Sequence, residues 1–325
     1  MAPSREVRAA AASEVARLFF DRQLSKVEIG SRLGISRFRV ARLIEQALEA
    51  ELVRIEFRDI PEVDRALARA IEERFAIDMC VVAGGDDASN GISRVARLAA
   101  SVIEELIGRD DVVGVAWGST LAAVVRELPS RSDPSLAVVQ LAGSSVSLDR
   151  RRDPGELARS LADRLGARHH PLHAPAFVDD PAVREALVAS PDLAATVAAF
   201  DRLSIALVGI GAMPSESAAG GESSLLRSGV LADVQIARLR GLGAVGDLVV
   251  HTFDRNGRWV APDVADRAIA VSVDQLRKVP RVVAVAAGPA KATAIHGALA
   301  TELVRVLVTD APTAAAVLDV ATAER

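Results

Sequence analysis

Six short apolar runs constrain the fold of this chain more than any other feature. They are DMCVVAG (78–84), VVGVAWG (112–118), LAVVQLAG (136–143), LSIALVGIG (203–211), VVAVAAG (282–288) and VRVLVTD (304–310). Each run except the first closes on a turn residue and is soon followed by a helical pattern, such as ISRVARLAASVIEELI (92–107). Short apolar strands that alternate with helices are typical of an α/β domain with a mainly parallel sheet. We therefore predict a Rossmann-like α/β domain over residues 59–325.

Composition limits the location of the protein. No apolar run reaches the roughly 18 residues of a membrane-spanning helix, and the first 16 residues carry both charge signs, unlike a signal peptide. The single cysteine, Cys80, excludes an internal disulfide framework and fits a reducing cytoplasm. We expect a cytoplasmic protein in which Cys80 is a small buried residue of a strand rather than a catalytic thiol.

The first 58 residues predict a winged helix-turn-helix. A first helix is expected from about Arg5 to Phe20, and SKVE (25–28) is a capping box that begins a second helix. Gly34 ends that helix, and Ser36 caps a third, SRFRVARLIEQALEAEL (36–52). The alternation in LVRIEF (52–57) then predicts the short strand of a wing. Two helices joined by a tight turn are the DNA-reading layout.

The third predicted helix has an apolar face and a basic start. The residues expected to form its buried stripe are Val40, Leu43, Ile44, Ala47 and Leu48. Residues 22–42 carry six basic side chains against Glu28 alone, whereas the whole chain has a net charge of −4. We predict that Arg37 and Arg39 contact base edges, and that Ser36 and Arg42 contact phosphates. Phe38 either touches a thymine methyl or packs, and we expect it to pack; a protein-interaction module is the other interpretation of these helices.

Four turns at strand ends have residues that suit an anion. They are WGST with Gly118, Ser119 and Thr120; LAGSSV with Gly143, Ser144 and Ser145; AAGPAK with Gly288 and Lys291; and VTDAPTAA with Thr309 and Asp310. Backbone N–H groups, hydroxyls and a helix dipole together favour phosphate. A Gly-Ser-Thr turn is also a common helix cap, and we interpret Asp310 mainly as a cap. None of the four is a nucleotide-binding motif. Because four such turns follow strands of one predicted sheet, we predict a phosphorylated small ligand.

Asp247 and the histidines bear on the chemistry of the site. Asp247 precedes a hairpin turn, DRNGRW (254–259), and is suited either to accept from sugar hydroxyls or to cap a turn. His169, His170 and His173 form HHPLH, but Pro171 and the absence of nearby cysteine or carboxylate ligands argue against a metal site. We expect neither a metal nor a cofactor, and we expect His296 to pack on its helix.

The motifs together resemble the SorC family of bacterial transcriptional regulators. The resemblance covers nearly the whole chain and rests on KVEIGSRLGISRFRVARLIEQALEAELVRIEF, GVAWGSTL, LHAPAFV, ALVGIGAM, GAVGDLVVHTFDRNG, VVAVAAGPAKATAIHGAL and VRVLVTDAPTAAAVL, in that order. It implies a body similar in fold to sugar-phosphate isomerases, a phosphorylated sugar effector, and a dimer or tetramer. It also implies a phosphate contact for Lys26, which stands where the family usually has Gln. SRFRVAR replaces the family's commoner Ser-Arg-Pro-x-Val-Ser-Arg, so the operator sequence does not transfer.

The resemblance also assigns the effector site and the function. Phosphate is implied on Gly118, Ser119 and Thr120, with help from the turn of Gly143 and Ser144 and from Lys291, while Asp247 faces the sugar. The implied function is a DNA-binding regulator of carbohydrate metabolism, without catalytic activity, whose operator affinity depends on a phosphorylated sugar. Two alternatives stay open: an isomerase or deaminase fused to a DNA-binding domain, and a Schiff base between Lys291 and an aldehyde sugar, which requires a depressed lysine pKa.

Overall fold

The chain divides into two compact units in a computed structural model. The N-terminal unit is Met1–Asp59 and the larger unit is Ile60–Arg325. The structure describes residues 5–22, 24–50, 52–53, 62–85, 91–145, 153–213, 223–229 and 231–322, with the side chains of residues 5–10 left out. The predicted domain boundary after residue 58 therefore lies outside the described residues and stays a prediction.

The described part of the N-terminal unit contains three α-helices. They are α1 (Arg5–Ala16), which continues as a π-helical turn over Arg17–Asp21, α2 (Lys26–Leu33) and α3 (Arg37–Glu49). The predicted caps are confirmed. The Ser25 hydroxyl accepts from the Glu28 N–H at 3.3 Å while the Glu28 carboxylate accepts from the Ser25 N–H at 2.8 Å. Gly34 ends α2 in the left-handed conformation, and Ser36 accepts from the Arg39 N–H at 3.3 Å. These caps fix the turn between α2 and α3.

The core of the N-terminal unit is small and corrects two predictions. Val40, Ile44 and Ala47 are buried as expected. Leu48, however, is 37% exposed and joins neither apolar cluster among the described residues of this unit, since it lies at the end of α3, one residue before Glu49. Phe38 is 72% exposed, so the expectation that it packs is wrong. Of the predicted wing, residues 54–57 lie outside the described residues.

The larger unit is built on a nine-stranded sheet among the described residues. Its strands are β1 (Met79–Ala83), β2 (Val112–Val115), β3 (Ala137–Gln140), β4 (Arg168–His170), β5 (Ile205–Ala212), β6 (Ala244–Leu248), β7 (His251–Asp254), β8 (Arg281–Val285) and β9 (Val306–Asp310). The main order is β1-β9-β8-β5-β2-β3-β4, with every neighbouring pair parallel. All six apolar runs form strands of this sheet, which confirms the predicted fold class.

Helices connect the strands of the larger unit. They are α4 (Arg65–Phe75), α5 (Gly91–Leu106), α6 (Ser119–Glu127), α7 (Pro154–Leu165), α8 (Pro181–Val188), α9 (Pro191–Phe200), α10 (Ser224–Arg227), α11 (Asp233–Gly241), α12 (Pro262–Ala265), α13 (Val273–Lys278), α14 (Ala292–Ala300) and α15 (Ala311–Thr322). The interior strands β3, β8 and β9 are mostly apolar and almost wholly buried, as expected of strands covered on both faces. Among the described residues, no helix is both long enough and apolar enough to cross a bilayer.

The strand order reverses between β2 and β5. From β2 the chain proceeds outward through β3 to β4, then returns to the other side of β2 to form β5, β8 and β9. A crevice opens at such a switch point because the connections from the two strands leave in opposite directions. The ends of β2 and β5 are therefore the place where a ligand site is expected.

A hairpin of β6 and β7 extends the sheet beyond the end of β5. β6 runs antiparallel to β5, so that Asp247 lies opposite Gly211. The predicted turn at residues 254–259 is confirmed, since the Asp254 N–H donates to the Arg258 carbonyl and Phe253 bridges to Trp259. This hairpin brings Asp247 to the switch point although it is distant in sequence from β2.

Candidate functional site

A polar cleft lies at the carboxyl ends of β2 and β5. About 360 Å³ of space, which includes open solvent, lies between the atoms that line it. Among the described residues, its lining comprises Trp117, Gly118, Ser119, Thr120, Leu121, Gly209, Ile210, Gly211, Ser224, Arg227, Asp247 and Lys291. Five residues predicted to bind the effector therefore meet in one place: Gly118, Ser119, Thr120, Asp247 and Lys291.

The first turn of α6 presents backbone donors to this cleft. α6 begins at Ser119, and Gly118 at its cap position supplies no side-chain hydrogen bond. Gly118 has φ 135°, a conformation that favours glycine because it lacks a Cβ atom. The first N–H groups of a helix have no partner within the helix and, together with the helix dipole, attract an anion. The turn predicted as a phosphate site thus lacks the side-chain cap that the alternative interpretation required.

Asp247 is buried in the wall of the cleft with an unused acceptor. Its exposure is 2%, and its Oδ1 atom has no hydrogen-bond partner among the described residues. Burial raises the pKa of the carboxyl to about 6, although a hydrogen bond from Ser223 and the charges of Lys291 and Arg227 act in the opposite direction. At neutral pH the carboxylate is mostly ionised and can accept a hydrogen bond from a ligand hydroxyl.

Lys291 supplies a cation close to Asp247. It ends a 3₁₀ turn over Pro289–Lys291, and its ammonium donates to the Ile210 carbonyl at 2.9 Å. Burial lowers the pKa of the amine, and the charge of Asp247 partly offsets this. A lysine ammonium has three donors, so two remain for a ligand. The lowered pKa is also the condition that the Schiff-base alternative required.

Sequence reasoning missed several residues of the cleft. An added Cβ at Gly211 would overlap Oδ1 of Asp247, so β5 must lack a side chain at this position for the carboxylate to fit. The available signal was the glycine inside the apolar run LVGIG, since glycine within a strand often marks a close approach of another group. Ser224 and Arg227 come from α10 and gave no comparable signal.

Two predicted effector residues lie outside the cleft. Gly143 and Ser144 do not contribute to its lining. Gly143 is packed against the chain at Pro175, where an added Cβ would lie 2.3 Å from the carbonyl oxygen. The Ser144 hydroxyl donates to Asp153 at 3.0 Å, and Asp153 caps α7. The turn after β3 therefore uses its polar groups to hold the fold together, and we leave both residues out of the proposed site.

The N-terminal unit holds its predicted DNA contacts at the surface. Lys26, Ser36, Arg37, Arg39 and Arg42 are all exposed. The Arg37 guanidinium lies 4.9 Å from the centre of the Phe38 ring. The first turn of α3 contains no acidic residue. The start of α3 is therefore a positively charged surface.

The remaining titratable residues that we singled out have structural surroundings. Burial raises the pKa of the Cys80 thiol to about 12, which confirms a buried residue and leaves no thiolate at neutral pH. His296 is buried and makes an edge contact with Phe75, so its predicted packing is confirmed. Asp310 caps α15 through the Thr313 N–H at 2.9 Å, as predicted. No cluster with metal-ligand composition occurs among the described residues.

The larger unit has the topology of doubly wound α/β domains, a class in which ligands bind at a switch point of the sheet. The Sugar-bind family model, which describes a sugar-binding domain, matches residues 61–319. The chain belongs to this family, and the predicted resemblance to SorC regulators is confirmed.

Similar proteins match the chain over almost its full length. The crystal structure of the full-length sorbitol operon regulator SorC from Klebsiella pneumoniae aligns with a TM-score of 0.72 and 25% identity, covering 97% of this chain and 100% of that one. The deoxyribonucleoside regulator of Bacillus subtilis is 28% identical, covering 94% of this chain and 96% of its own. The erythritol catabolism regulatory protein EryD of Brucella abortus is 27% identical, with coverages of 93% and 94%. All three of these similar proteins are named as regulators.

Proposed function

We propose that this protein is a DNA-binding transcriptional regulator of carbohydrate metabolism whose operator affinity is controlled by a phosphorylated sugar. One observation carries the proposal: the uncapped start of α6 and the Lys291 ammonium share a cleft with the unused acceptor of Asp247. The first two suit a phosphate, and the third suits a sugar hydroxyl. The names of the relatives support a sugar-related effector.

The N-terminal unit provides the DNA-binding part of the proposal. Arg37 and Arg39 at the exposed start of α3 can each donate two hydrogen bonds to a guanine edge. Lys26 and Arg42 are placed to contact phosphates. The Ser36 oxygen accepts the capping bond, which leaves its hydroxyl proton free to donate to a phosphate.

Control of DNA affinity requires the ligand to bind two arrangements of the protein unequally. A dimer or tetramer would link the ligand to DNA, because the spacing of two recognition helices must match the helical repeat of the operator. A phosphate bound between α6 and Lys291 would connect β2, β5 and α14. The ligand would therefore contact several elements at once.

The test is a thermal-shift screen of the full-length protein with sugar phosphates and the corresponding unphosphorylated sugars. A ligand that binds only the folded state at 100 times its Kd adds about 2.7 kcal/mol to the free energy of unfolding. We expect a phosphorylated sugar to raise the melting temperature, and Lys291→Met to abolish this response. Lys278→Met removes an exposed lysine of the same unit and serves as the matched control.

Measurements of operator affinity test the DNA-binding part of the proposal separately from the ligand-binding part. Lys291→Met and Thr120→Ala should leave DNA affinity intact while removing its dependence on the sugar phosphate. A ligand response that survives in Lys291→Met would show that the phosphate binds elsewhere. If the full-length protein binds no duplex selectively, the proposed regulatory function is wrong and only the small-molecule binding would stand.

One observation favours the enzyme alternative. Asp247, with a pKa of about 6, and Lys291, with a lowered pKa, line the same cleft, which is the environment of a general base beside a cation. A turnover assay with each sugar phosphate that binds distinguishes the alternatives. Conversion that is lost in Asp247→Asn would establish an isomerase or deaminase, and trapping of Lys291 by borohydride would establish a Schiff base. We expect neither.

A further inference from the structure

The start of α3 carries an apolar side chain whose exposure the fold does not require. Phe38 is 72% exposed, the largest exposed fraction of any large apolar side chain in the described part of the N-terminal unit. The neighbouring Val40 is fully buried in the same helix, so the unit has a core that Phe38 does not join. An aromatic ring that water surrounds at the surface loses the stabilisation that burial would supply.

Basic residues flank this ring along α3. Phe38 is the second residue of α3, between Arg37 and Arg39, and Arg42 is exposed one turn further along. The Arg37 guanidinium lies 4.9 Å from the ring centre, a cation–π distance, and therefore helps to hold the ring at the start of the helix. An exposed aromatic ring next to arginine side chains suits a polyanion that has an apolar group close to its phosphates.

We propose that Phe38 reads the C5-methyl group of a thymine in the major groove, beside a base contact of Arg37 or Arg39. This inference rests on the proposed DNA-binding function. The thymine methyl is the apolar group that a base pair displays in the major groove, and phenylalanine is one of the side chains that contact it. A recognition helix reads bases with its N-terminal residues, and Phe38 is the apolar one among them. Phe38 is thus a specificity-determining residue for the operator.

The experiment compares thymine with uracil, which differ by this methyl alone. A duplex is first selected from a random pool with the full-length protein, and each thymine of the selected duplex is then replaced by uracil in turn. We expect one position in each half-site at which uracil weakens binding about fourfold, the effect of withdrawing one buried methyl group. In Phe38→Ala the thymine and uracil duplexes should bind equally, and Phe38→Leu should retain part of the difference.

A matched control accounts for the loss of exposed apolar surface. Val27 is 63% exposed and is the second residue of α2, as Phe38 is of α3. Val27→Ala should keep the full penalty for uracil. Because Phe38 is exposed, Phe38→Ala should keep the wild-type melting temperature.

Two results would overturn the inference. One is a wild-type protein that binds its selected duplex with no penalty for uracil at any position. The other is a penalty that persists unchanged in Phe38→Ala; a changed molar mass of that variant in light scattering would then show that the ring contacts a second copy of the chain. A wild-type protein that selects no duplex would instead refute the proposed DNA binding itself.

Discussion

The two units of this protein hold their functional charges in opposite ways. The N-terminal unit exposes Lys26, Arg37, Arg39 and Arg42 to solvent, whereas the larger unit encloses Asp247 and Lys291 in a cleft. Exposed charges cost little to maintain, act over a distance and are screened by salt. Enclosed charges are costly to desolvate and have shifted pKa values, and they act only on a group that enters the cleft. The first arrangement suits a long polyanion, and the second suits one small ligand.

The largest expected effect tests the cost of enclosing Asp247. In Asp247→Asn the free energy of unfolding at pH 7 should rise by about 3 kcal/mol, since the folded carboxyl has a pKa of about 6 against 3.8 unperturbed. The ligand response should be lost at the same time. Denaturation followed by tryptophan fluorescence measures this, because both tryptophans of the chain, Trp117 and Trp259, lie in the larger unit.

The pH dependence of this effect has a definite sign. A raised carboxyl pKa means that the folded state binds the proton more tightly, so stability falls as the pH rises from about 4 to 6. The wild type should show this fall, and Asp247→Asn should not. A variant that is less stable than the wild type at pH 7 would show that Asp247 stabilises the fold.

Substitution of two glycines on β5 tests whether the position of Asp247 requires a residue without a side chain opposite it. Gly211→Ala should lower the free energy of unfolding of the larger unit by about 2 kcal/mol, because the new Cβ would overlap the carboxylate of Asp247. Gly209→Ala on the same strand is the control, since the nearest atom to its added Cβ lies at an ordinary 3.7 Å. Equal losses in both variants would contradict the close approach.

A smaller effect is expected at Arg39, which we propose contacts a base. Arg39→Ala should weaken binding to the selected operator about tenfold, equivalent to about 1.4 kcal/mol, and should relax the preference at one base pair. Fluorescence anisotropy with operator variants measures both. Arg240→Ala removes an exposed arginine of the larger unit and should change neither. A uniform loss over all sequences would reassign Arg39 to a phosphate.

The smallest expected effect concerns Arg42, which we propose contacts a phosphate. Arg42→Ala should weaken binding to all duplexes alike and lower the slope of log affinity against log salt by about one. Titrations at several salt concentrations measure the slope. An unchanged slope would exclude Arg42 from the interface, whereas a changed base preference would make it a reading residue.

Local signals predicted much of this structure. The six apolar runs became strands because continuous apolar sequence is stable only where both faces are covered. The caps at Ser25, Gly34 and Ser36 formed as expected, because a cap involves residues three or four positions apart. Leu48 and Phe38 were the exceptions among the side chains expected to be buried, because burial depends on contacts with other helices, which no local pattern specifies.

The candidate site was predicted in part. Gly118, Ser119, Thr120, Asp247 and Lys291 line one cleft, as the resemblance to SorC regulators implied. Gly143 and Ser144 have the same local chemistry as the turn after β2 but lie away from the cleft. Small residues after a strand indicate a tight turn, and they do not reveal whether the strand borders the switch point.

By itself the sequence determined the kinds of element in this protein, their caps and the two groups of charges, because these depend on residues that are close along the chain. The tertiary structure alone decided that β2 and β5 are neighbours, that the β6–β7 hairpin carries Asp247 to their ends, and that Gly211 leaves room for it. Pairing between distant segments depends on packing of the whole sheet, and no local pattern specifies it.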